Sequence, residues 1–306
     1  MSDYSVFSYT MRDLTLLPLR PARSHKGTFG RVLCVCGSSG MSGAAYFAAK
    51  AAYRMGAGLV RIYTIQENRA ILQTLIPEAI VTEYNEASPN MEEFRLALQW
   101  ADVWVVGCGL GVNTVSRTIL AEILRAPKKP TILDADALNL LALNPSLLGR
   151  TQGAILTPHA AEMSRLCGKS VEKILEHPKR TAYEFAKQHG VICVLKDHHT
   201  VVSDGGPRLY LNPTGNSGMA TGGAGDILAG LLGGLFAQLG SSCPDPLSYT
   251  ALGVYLHGLC GDHAAQALSE YAVMARDLLD ALPKVLKQAE SFLSDSTETL
   301  SERTDP

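Results

Sequence analysis

The sequence predicts an α/β protein in which helices cover both faces of a mostly parallel central sheet. Between residues 31 and 196, short apolar runs alternate with segments of helical periodicity, which is the order of elements in a β-α-β fold. These runs are continuously apolar, as in RVLCVC at 31–36, and strands buried on both faces have this pattern. With 306 residues, of which 46% are hydrophobic, the chain is long enough for the large core of such a fold.

The elements of the parallel part follow from this alternation. Helices are predicted at Gly43–Met55, Glu67–Leu75, Met91–Trp100 and Thr118–Ala126. Strands are predicted at Arg31–Gly37, Leu59–Ile65, Ala79–Glu83, Asp102–Gly107, Pro130–Asp134, Ala154–Thr157 and Val191–Lys196.

The pattern changes after residue 196. Two short apolar runs, Thr200–Ser203 and Arg208–Asn212, flank the turn sequence DGGP and predict a hairpin. The rest of the chain is helical in pattern, at Asp226–Leu239, Asp245–Leu268 and Val273–Ala289. Because no linker interrupts the pattern, we expect one domain over residues 13–292. Residues 293–306 are rich in Ser, Thr, Glu and Asp and are predicted to be a disordered tail.

Charge and composition exclude several classes of partner. The net charge of -2 without a basic face argues against a nucleic-acid partner. The longest apolar stretch, Ile227–Leu239, is shorter than the ~20 residues of a membrane span, and the N-terminus lacks the features of a secretory signal. The seven cysteines show no paired metal spacing, and Cys34 and Cys36 alternate on a strand, which favours core packing. A reducing cytoplasm fits these thiols, and no membrane partner is expected.

A glycine-rich segment at 212–235 contains eight glycines and a lone carboxylate, Asp226, and leads directly into an apolar helix. Helix N-termini expose unpaired amides and a partial positive charge, so they bind anions, and glycines let the backbone approach a phosphate closely. Asp226 would then be a general base that takes a proton from an attacking hydroxyl. The alternative is an ordinary N-cap worth ~1 kcal/mol, which explains Asp226 but not the glycines around it.

Polar residues also follow several predicted strands, where open α/β sheets bind ligands. Asp134 and Asp136 close one strand, and one of them could orient Mg²⁺ or a sugar hydroxyl, although Asp136 could also cap the next helix. His159 lies at a helix start with Glu162 three residues later, so it either contacts a ligand or is structural.

Lys196 ends the last parallel strand and is a candidate phosphate ligand, with Thr200 supplying a hydroxyl; the alternative is a solvated start of the hairpin. The turn at 107–111, GCGLG, is either a binding loop or a plain turn. His257 and His263, on a late helix, favour packing or surface positions.

Together these segments resemble the NAD(P)H-hydrate dehydratase family of the ribokinase-like superfamily. GGAGDIL at 222–228 is similar to the superfamily signature G-[TA]-G-D, and five segments follow the family's order and spacing across about residues 13–289. Two positions depart from the family pattern: Ala224 stands where Thr is common, and Asp197 stands where Gly commonly follows the lysine, which puts the nucleotide-contacting turn in doubt. The segments are His25–Arg61, Asp134–Ala142, Leu156–Leu166, Leu195–Val202 and Asn212–Gly230.

The resemblance implies a ribokinase-like three-layer α/β/α sandwich and a role for each matching residue. Asp226 would be the catalytic base, and the amides of Gly223, Ala224 and Gly225 would form the anion hole. The ligands of any metal are not implied. Contacts to the hydrated nicotinamide nucleotide are implied for Ala44, Gly109, Gly111, Asp136, His159 and Asp226, and contacts to the adenine nucleotide for Lys196, Asp197, His198, His199, Thr200, Asn216 and Gly225.

The activity implied by the resemblance is dehydration of the 6-hydroxylated forms of NADH and NADPH, with ADP and Mg²⁺, giving AMP and phosphate. ADP is favoured over ATP because the chain resembles bacterial members. The resemblance also implies a homo-oligomer, with a tetramer as one form. Many relatives carry a fused N-terminal epimerase; this chain begins too close to the dehydratase part to contain it, so a separate NAD(P)H-hydrate epimerase is the expected partner enzyme.

Three alternatives remain at this level. The first is the same reaction with ATP. The second is a ribokinase-like kinase for a hydroxyethylthiazole- or hydroxymethylpyrimidine-type vitamin precursor, which would form a stable phosphorylated product. The third is a nucleotide sensor without turnover, which would not need a carboxylate aimed at a phosphate.

Overall fold

The computed structural model describes residues 4–240 and 243–301, the last ten through their backbone alone, and within this part ten strands form one sheet. The sheet order is β1-β10-β9-β8-β7-β6-β5-β2-β3-β4. The strands are β1 Ser5–Phe7, β2 Arg31–Val35, β3 Leu59–Ile65, β4 Ile80–Tyr84, β5 Val103–Val106, β6 Thr131–Leu133, β7 Ile155–Leu156, β8 Ile192–Leu195, β9 Val201–Ser203 and β10 Arg208–Leu211.

Strands β2 to β8 pair in parallel, and β8, β9 and β10 pair antiparallel, so the predicted parallel sheet and the predicted hairpin are both confirmed. The edge strand β1, which pairs in parallel with β10, is not predicted because three residues give too little periodicity. The helices are α1 Ser42–Arg54, α2 Arg69–Leu75, α3 Met91–Trp100, α4 Thr114–Ile123, α5 Asp136–Leu143, α6 Pro145–Leu148, α7 Ala160–Cys167, α8 Val171–Glu176, α9 Pro178–His189, α10 Ala224–Leu239, α11 Pro246–Leu268 and α12 Ala275–Ser301; short 3₁₀ turns occupy Met11–Leu16, Lys26–Phe29, Gln66–Asn68 and Ser217–Met219.

Two hydrophobic cores lie on opposite faces of the sheet. Successive residues of β2 show the division: Val32 and Cys34 pack under α1, α10, α11 and α12, whereas Leu33 and Val35 pack under the helices α3, α4, α5, α7 and α9. This alternation follows from the period of two in a strand, and both faces are apolar because both are covered. The predicted three-layer α/β/α sandwich is confirmed.

Cysteines behave as small core residues. Cys34 and Cys36 lie in the same core with no exposed surface, and within the described part of the chain all seven cysteines are free thiols. Burial raises the pKa of the Cys34 thiol well above its usual range, and the neighbouring Cys36 acts in the same direction. The predicted core role of the C-x-C pair is confirmed.

Several helix ends differ from their predicted positions, and the largest shifts are at α4 and α12. Helix α4 begins at Thr114 rather than at 118, because Asn113 accepts a hydrogen bond from the amide of Ser116 and caps the helix there. Helix α12 continues to Ser301, into the segment predicted to be disordered; before the terminal Pro306 this segment contains neither glycine nor proline to stop a helix. Residues 302–306 of that tail lie outside the described residues, and the domain bounds stay a prediction. Among the described helices, none is both long and apolar enough to cross a bilayer.

Candidate active site

A cavity of about 750 Å³ opens at the carboxyl ends of the central strands. Asp134 follows β6, His159 follows β7 and Lys196 follows β8, while Gly225 and Asp226 come from the N-terminus of α10. The carboxyl ends of parallel strands meet at one edge of a sheet, so residues far apart in the chain gather there. The predicted strand-end residues therefore meet the predicted glycine loop.

The N-terminus of α10 has a backbone shape that requires glycine. Gly223 is the N-cap residue and has φ = +98°, in the left-handed region. A Cβ there would lie 2.8 Å from the ring of Phe47 and 2.9 Å from the Cβ of Ala275. The amide of Ala224 donates to the carbonyl of Thr221 at 3.4 Å. The loop is thus fixed tightly against α1 and α12 where the helix amides face the cavity.

Asp226 is the third residue of α10 and is not its cap. The thiol of Cys108, which is fully buried, lies within 4.8 Å of its carboxylate. Burial, and after it the charge of Asp134, raise the pKa of Asp226 to about 6 against the opposing effects of Cys108 and Lys196. Because Gly223 caps the helix, the capping role does not account for Asp226, and its raised basicity suits a general base.

A buried ion pair lies beside this carboxylate. Nζ of Lys196 donates to Oδ1 of Asp134 at 2.8 Å, and Oγ1 of Thr157 donates to the same oxygen at 2.7 Å. Asp134 is 1% exposed. Burial acts to lower the pKa of Lys196, but the charges of Asp134 and Glu162 outweigh it and raise the pKa. Lys196 therefore remains an ammonium ion in the cavity.

Gly225 leaves room between this ammonium and the helix. A Cβ on Gly225 would lie 3.3 Å from Nζ of Lys196 and 3.5 Å from Oδ2 of Asp134. The missing side chain leaves space next to the cation at the start of the helix. A helix N-terminus, an ammonium and a carboxylate base are the groups expected around a transferring phosphate.

Asp136 is the first residue of α5 and is bound on both oxygens. Oδ2 accepts from the amide of Gly111 at 2.8 Å, and Oδ1 accepts from Nδ2 of Asn139 at 3.3 Å. Ala135, which precedes it and lines the cavity, has φ = +48°, an uncommon strained conformation for a residue with a Cβ. Asp136 thus holds the loop after β5 next to the cavity, and its predicted contact with substrate stays a prediction.

The other predicted substrate residues lie near this loop. A Cβ on Gly109 would lie 2.9 Å from the Cβ atoms of Ala44 and Met41. Of the described residues, those lining the main cavity do not include Ala44, Gly109, Gly111 or Asp136, which form a neighbouring group. The structure brings these four together, and their role in binding stays a prediction.

His159 is the N-cap of α7 and forms a capping box with Glu162. Nδ1 accepts from the amides of Ala161 and Glu162 at 3.2 and 3.3 Å, and Oε2 of Glu162 accepts from the amide of His159 at 2.9 Å. Burial lowers the pKa of His159, and the charge of Lys196 acts in the same direction. A neutral ring that accepts at Nδ1 carries its hydrogen on Nε2, which lies 3.3 Å from Oε1 of Glu162. His159 lines the cavity, so its structural role coexists with the predicted contact.

The turn after β8 contributes most of the other predicted nucleotide residues. Asp197, His198 and Thr200 line the cavity, and Oγ1 of Thr200 donates to the carbonyl of Asp197 at 3.4 Å. His199 lies outside the lining, with Nδ1 3.3 Å from the carbonyl oxygen of Asn212. Asn216 lines the cavity from the opposite loop.

Three site residues were missed by reasoning from sequence. Cys108 was interpreted as a buried apolar residue, and His257 as packing or surface. Nε2 of His257 lies 2.9 Å from the carbonyl oxygen of Ala224, and Asp262 accepts hydrogen bonds from the loop that carries Asn216. The available signal was HGLCGD at 257–262, which places polar residues and two glycines close together in an otherwise apolar helix.

One group of ligand-type atoms was found in the described part of the chain. The thiol of Cys108 and carboxylate oxygens of Asp134 and Asp226 lie within 4.8 Å of one another. Carboxylate oxygens are the ligands that Mg²⁺ prefers, and it commonly binds one or two of them together with substrate phosphates. The residues therefore fit a magnesium ion that arrives with a nucleotide.

Comparisons with known proteins agree on one family. A family model described as NAD(P)H-hydrate dehydratase matches residues 32–284. The chain is 39% identical over 281 residues to the bifunctional NAD(P)H-hydrate repair enzyme of Moorella thermoacetica. The matched region covers 90% of this chain and 52% of that protein. It is 37% identical over 264 residues to the ADP-dependent (S)-NAD(P)H-hydrate dehydratase of Neisseria meningitidis, covering 85% and 84%.

A solved structure is also similar over nearly the whole chain. The ADP/ATP-dependent NAD(P)H-hydrate dehydratase of Bacillus subtilis, co-crystallized with ATP/Mg²⁺, has a TM-score of 0.78 and 31% identity, covering 92% of this chain and 97% of that one. The chain spans about half the length of the bifunctional relatives that it matches.

Proposed function

The chain belongs to the NAD(P)H-hydrate dehydratase family, and from this premise we propose that it dehydrates the hydrated forms of NADH and NADPH with a nucleotide as phosphate donor. The observation that carries the proposal is Asp226: a buried carboxylate with a pKa of about 6, in the first turn of a glycine-led helix and beside the Lys196 ammonium. These are the groups needed to activate an alcohol next to a phosphate.

In the proposed reaction Asp226 removes the proton of the substrate hydroxyl, and the oxygen attacks the terminal phosphorus of ADP. AMP leaves, and the hydroxyl oxygen becomes a phosphate ester. The electrons of the ring nitrogen then expel phosphate, and loss of a proton from the adjacent ring carbon restores the double bond. Hydroxide alone is a poor leaving group, which is why the hydroxyl is phosphorylated first. The overall reaction is hydrated NAD(P)H plus ADP giving NAD(P)H, AMP and phosphate.

The chain's own residues have distinct parts in this proposal. Lys196 and the amides at Gly225 hold the transferring phosphate, and Asp136 holds the Gly111 loop against the substrate. Asp134 fixes Lys196. Mg²⁺, held by Asp134 or Asp226 together with the nucleotide, would neutralise phosphate charge.

The choice of donor, the assembly and the location are finer proposals. We propose ADP, which the name of the Neisseria relative carries, while that of the Bacillus relative carries both ADP and ATP. A homo-oligomer, the cytoplasm and a separate epimerase remain proposals; the free cysteines favour a reducing compartment, and the fused enzymes among the relatives favour a coupled epimerase.

The experiment follows the near-ultraviolet absorbance of regenerated NADH, starting from hydrated NADH, Mg²⁺ and either ADP or ATP. Asp226→Asn should lower kcat by about 10²- to 10⁴-fold with little change in nucleotide binding, and the exposed Asp280→Asn is the matched control. Near-normal turnover in Asp226→Asn contradicts the base assignment. A stable phosphorylated product without NADH would instead identify a kinase, and turnover with ATP alone would reverse the choice of donor.

A further inference from the structure

Four residues of helix α11 lie close together: His257 and Gly258 line the cavity, and Gly261 and Asp262 contact the loop at 212–219, several residues of which line it. Their spacing of one, three and one positions places them side by side along the helix. Two of them have no side chain and two have polar side chains that reach opposite loops of the cavity.

The two glycines let the loop at 212–219 lie directly on the helix. A Cβ on Gly258 would overlap the side chain of Thr214, and a Cβ on Gly261 would overlap the side chain of Met219. Oγ1 of Thr214 donates to the carbonyl of Tyr255 at 3.0 Å, which ties the same loop to the helix backbone. A side chain at Gly258 would collide with the backbone and side chain of Thr214, whereas one at Gly261 would require the flexible side chain of Met219 to move.

Asp262 fixes the middle of that loop. Oδ2 accepts from the amide of Gly215 at 3.0 Å, and Oδ1 accepts from Nδ2 of Asn216 at 3.0 Å. With its amide group held in this way, Asn216 uses Oδ1 to accept from the amide of Gly218 at 3.0 Å. A single carboxylate thus determines the orientation of a side chain that lines the cavity.

His257 reaches the other loop. Its Nε2 lies 2.9 Å from the carbonyl oxygen of Ala224, and since a carbonyl only accepts, Nε2 must carry the hydrogen. Burial lowers the pKa of His257 to about 4, with the charge of Lys196 acting in the same direction, so the ring is a neutral donor at physiological pH. Ala224 lies between Gly223 and Gly225, whose amides are the proposed anion hole.

We infer that these four residues of α11, called the α11 face, form a positioning surface. In it, Asp262 orients the loop at 212–219, called the nucleotide loop, through Asn216, and His257 sets the position of the anion hole through Ala224. The inference rests on the proposed function for its kinetic readout. The two arms act on different steps: Asp262 on the binding of the nucleotide, and His257 on the placement of groups that act on the transferring phosphate. A helix that served only the core would not divide binding from turnover in this way.

The first arm, which concerns Asp262, is tested by Asp262→Asn. This variant keeps the size of the side chain but replaces one accepting oxygen by an NH₂ group, which would face the N–H donor of Gly215 or of Asn216. The KM and the calorimetric Kd for ADP should both rise by about 10- to 100-fold, as expected for lost hydrogen bonds to a charged group, while kcat changes little. Asn216→Ala should give a similar rise, and in that background the effect of Asp262→Asn should largely disappear. Additive effects, or an equal rise in the control Asp280→Asn, would overturn this arm.

The test of the second arm is His257→Leu against His257→Gln. Leucine removes the donor and should lower kcat by about tenfold or more with little change in the KM for ADP, whereas glutamine keeps an N–H donor and should recover part of the loss. His263→Gln, on the same helix, is the control. Equal losses in the leucine and glutamine variants, or a KM that rises in step with the fall in kcat, would overturn this arm.

Failure of the proposed function would be distinguishable from failure of this inference. A wild-type protein that regenerates no NADH with either nucleotide refutes the dehydratase reaction. Titration of ADP in the calorimeter does not depend on that reaction, so Asp262→Asn and Asn216→Ala still decide whether α11 positions the nucleotide loop. If Asp262→Asn yields no folded protein, the surface-loop variant Asn216→Ala alone decides the first arm.

Discussion

Replacing Asp226 by asparagine should stabilise the folded protein above pH 6 while removing its activity. The side chains have the same shape, so the main change is that the buried position no longer has to hold a negative charge. The pKa of Asp226 rises from 3.8 to about 6 on folding, because of burial and the charge of Asp134. A difference of about two units corresponds to about 3 kcal/mol.

The sign follows from proton binding in the two states. Between pH 3.8 and 6 the folded protein holds a proton on Asp226 that the unfolded chain has already released, so raising the pH through this range favours unfolding. Asparagine is neutral at every pH in this range, so the variant does not lose stability as the pH rises. Its free energy of unfolding should therefore exceed that of wild type by about 3 kcal/mol at pH 8 and by about half of that at pH 5.

The assay is urea unfolding of both proteins at pH 8 and pH 5, supported by thermal melting. For a chain of this length, about 3 kcal/mol corresponds to a rise in Tm of roughly 5 °C. Asp280→Asn, at an exposed position of α12, should leave the stability unchanged at both pH values. A variant no more stable than wild type at pH 8, or a gain that does not shrink at pH 5, would refute the electrostatic account of Asp226.

Three further perturbations test separate parts of the site. The pH dependence of kcat/KM should rise to a plateau with an apparent pKa of about 6 as Asp226 ionises, and a flat profile between pH 5 and 8 would contradict its role as base. Gly223→Ala should lower the free energy of unfolding, measured in urea, by about 2–5 kcal/mol, because φ = +98° and the packed neighbours both oppose a Cβ. Gly222→Ala is the control, since a Cβ on Gly222 would meet open space, and its free energy of unfolding should stay within about 0.5 kcal/mol of wild type. Lys196→Met should destabilise by about 3–5 kcal/mol by leaving Asp134 buried without its counter-charge, and it should raise the KM for ADP; a free energy of unfolding at pH 8 equal to that of wild type would contradict this account of the ion pair.

The sheet was predictable because its sequence signals are local. The mostly apolar run at Leu59–Ile65 and the helical periodicity at Met91–Trp100 give both type and bounds, and these two elements match the structure residue for residue. Bounds set by capping were less accurate: α10 begins at Ala224, two residues before the prediction, because Gly223 and not Asp226 adopts the cap conformation. A positive φ at glycine leaves no periodic trace in a sequence.

The site was predictable where the fold itself assembles it. Asp134, His159 and Lys196 each follow a parallel strand, so the sheet alone places them at one edge. The contacts of Cys108 with Asp226 and of His257 with Ala224 depend instead on how α10 packs between the sheet and α11. Such contacts join segments whose separation in sequence carries no information about their distance in space.

The division of charge in the cavity explains why one carboxylate can act as a base. The ammonium of Lys196 is bonded to Oδ1 of Asp134, which also accepts from Thr157. Burial and the charge of Asp134 keep the pKa of Asp226 near 6, although Cys108 and the charge of Lys196 act to lower it. Had Lys196 bonded to Asp226, the ion pair would have stabilised the charged form and weakened the base. Asp134 therefore serves turnover indirectly: it keeps the cation charged, in place for a phosphate, and away from the group that must accept a proton.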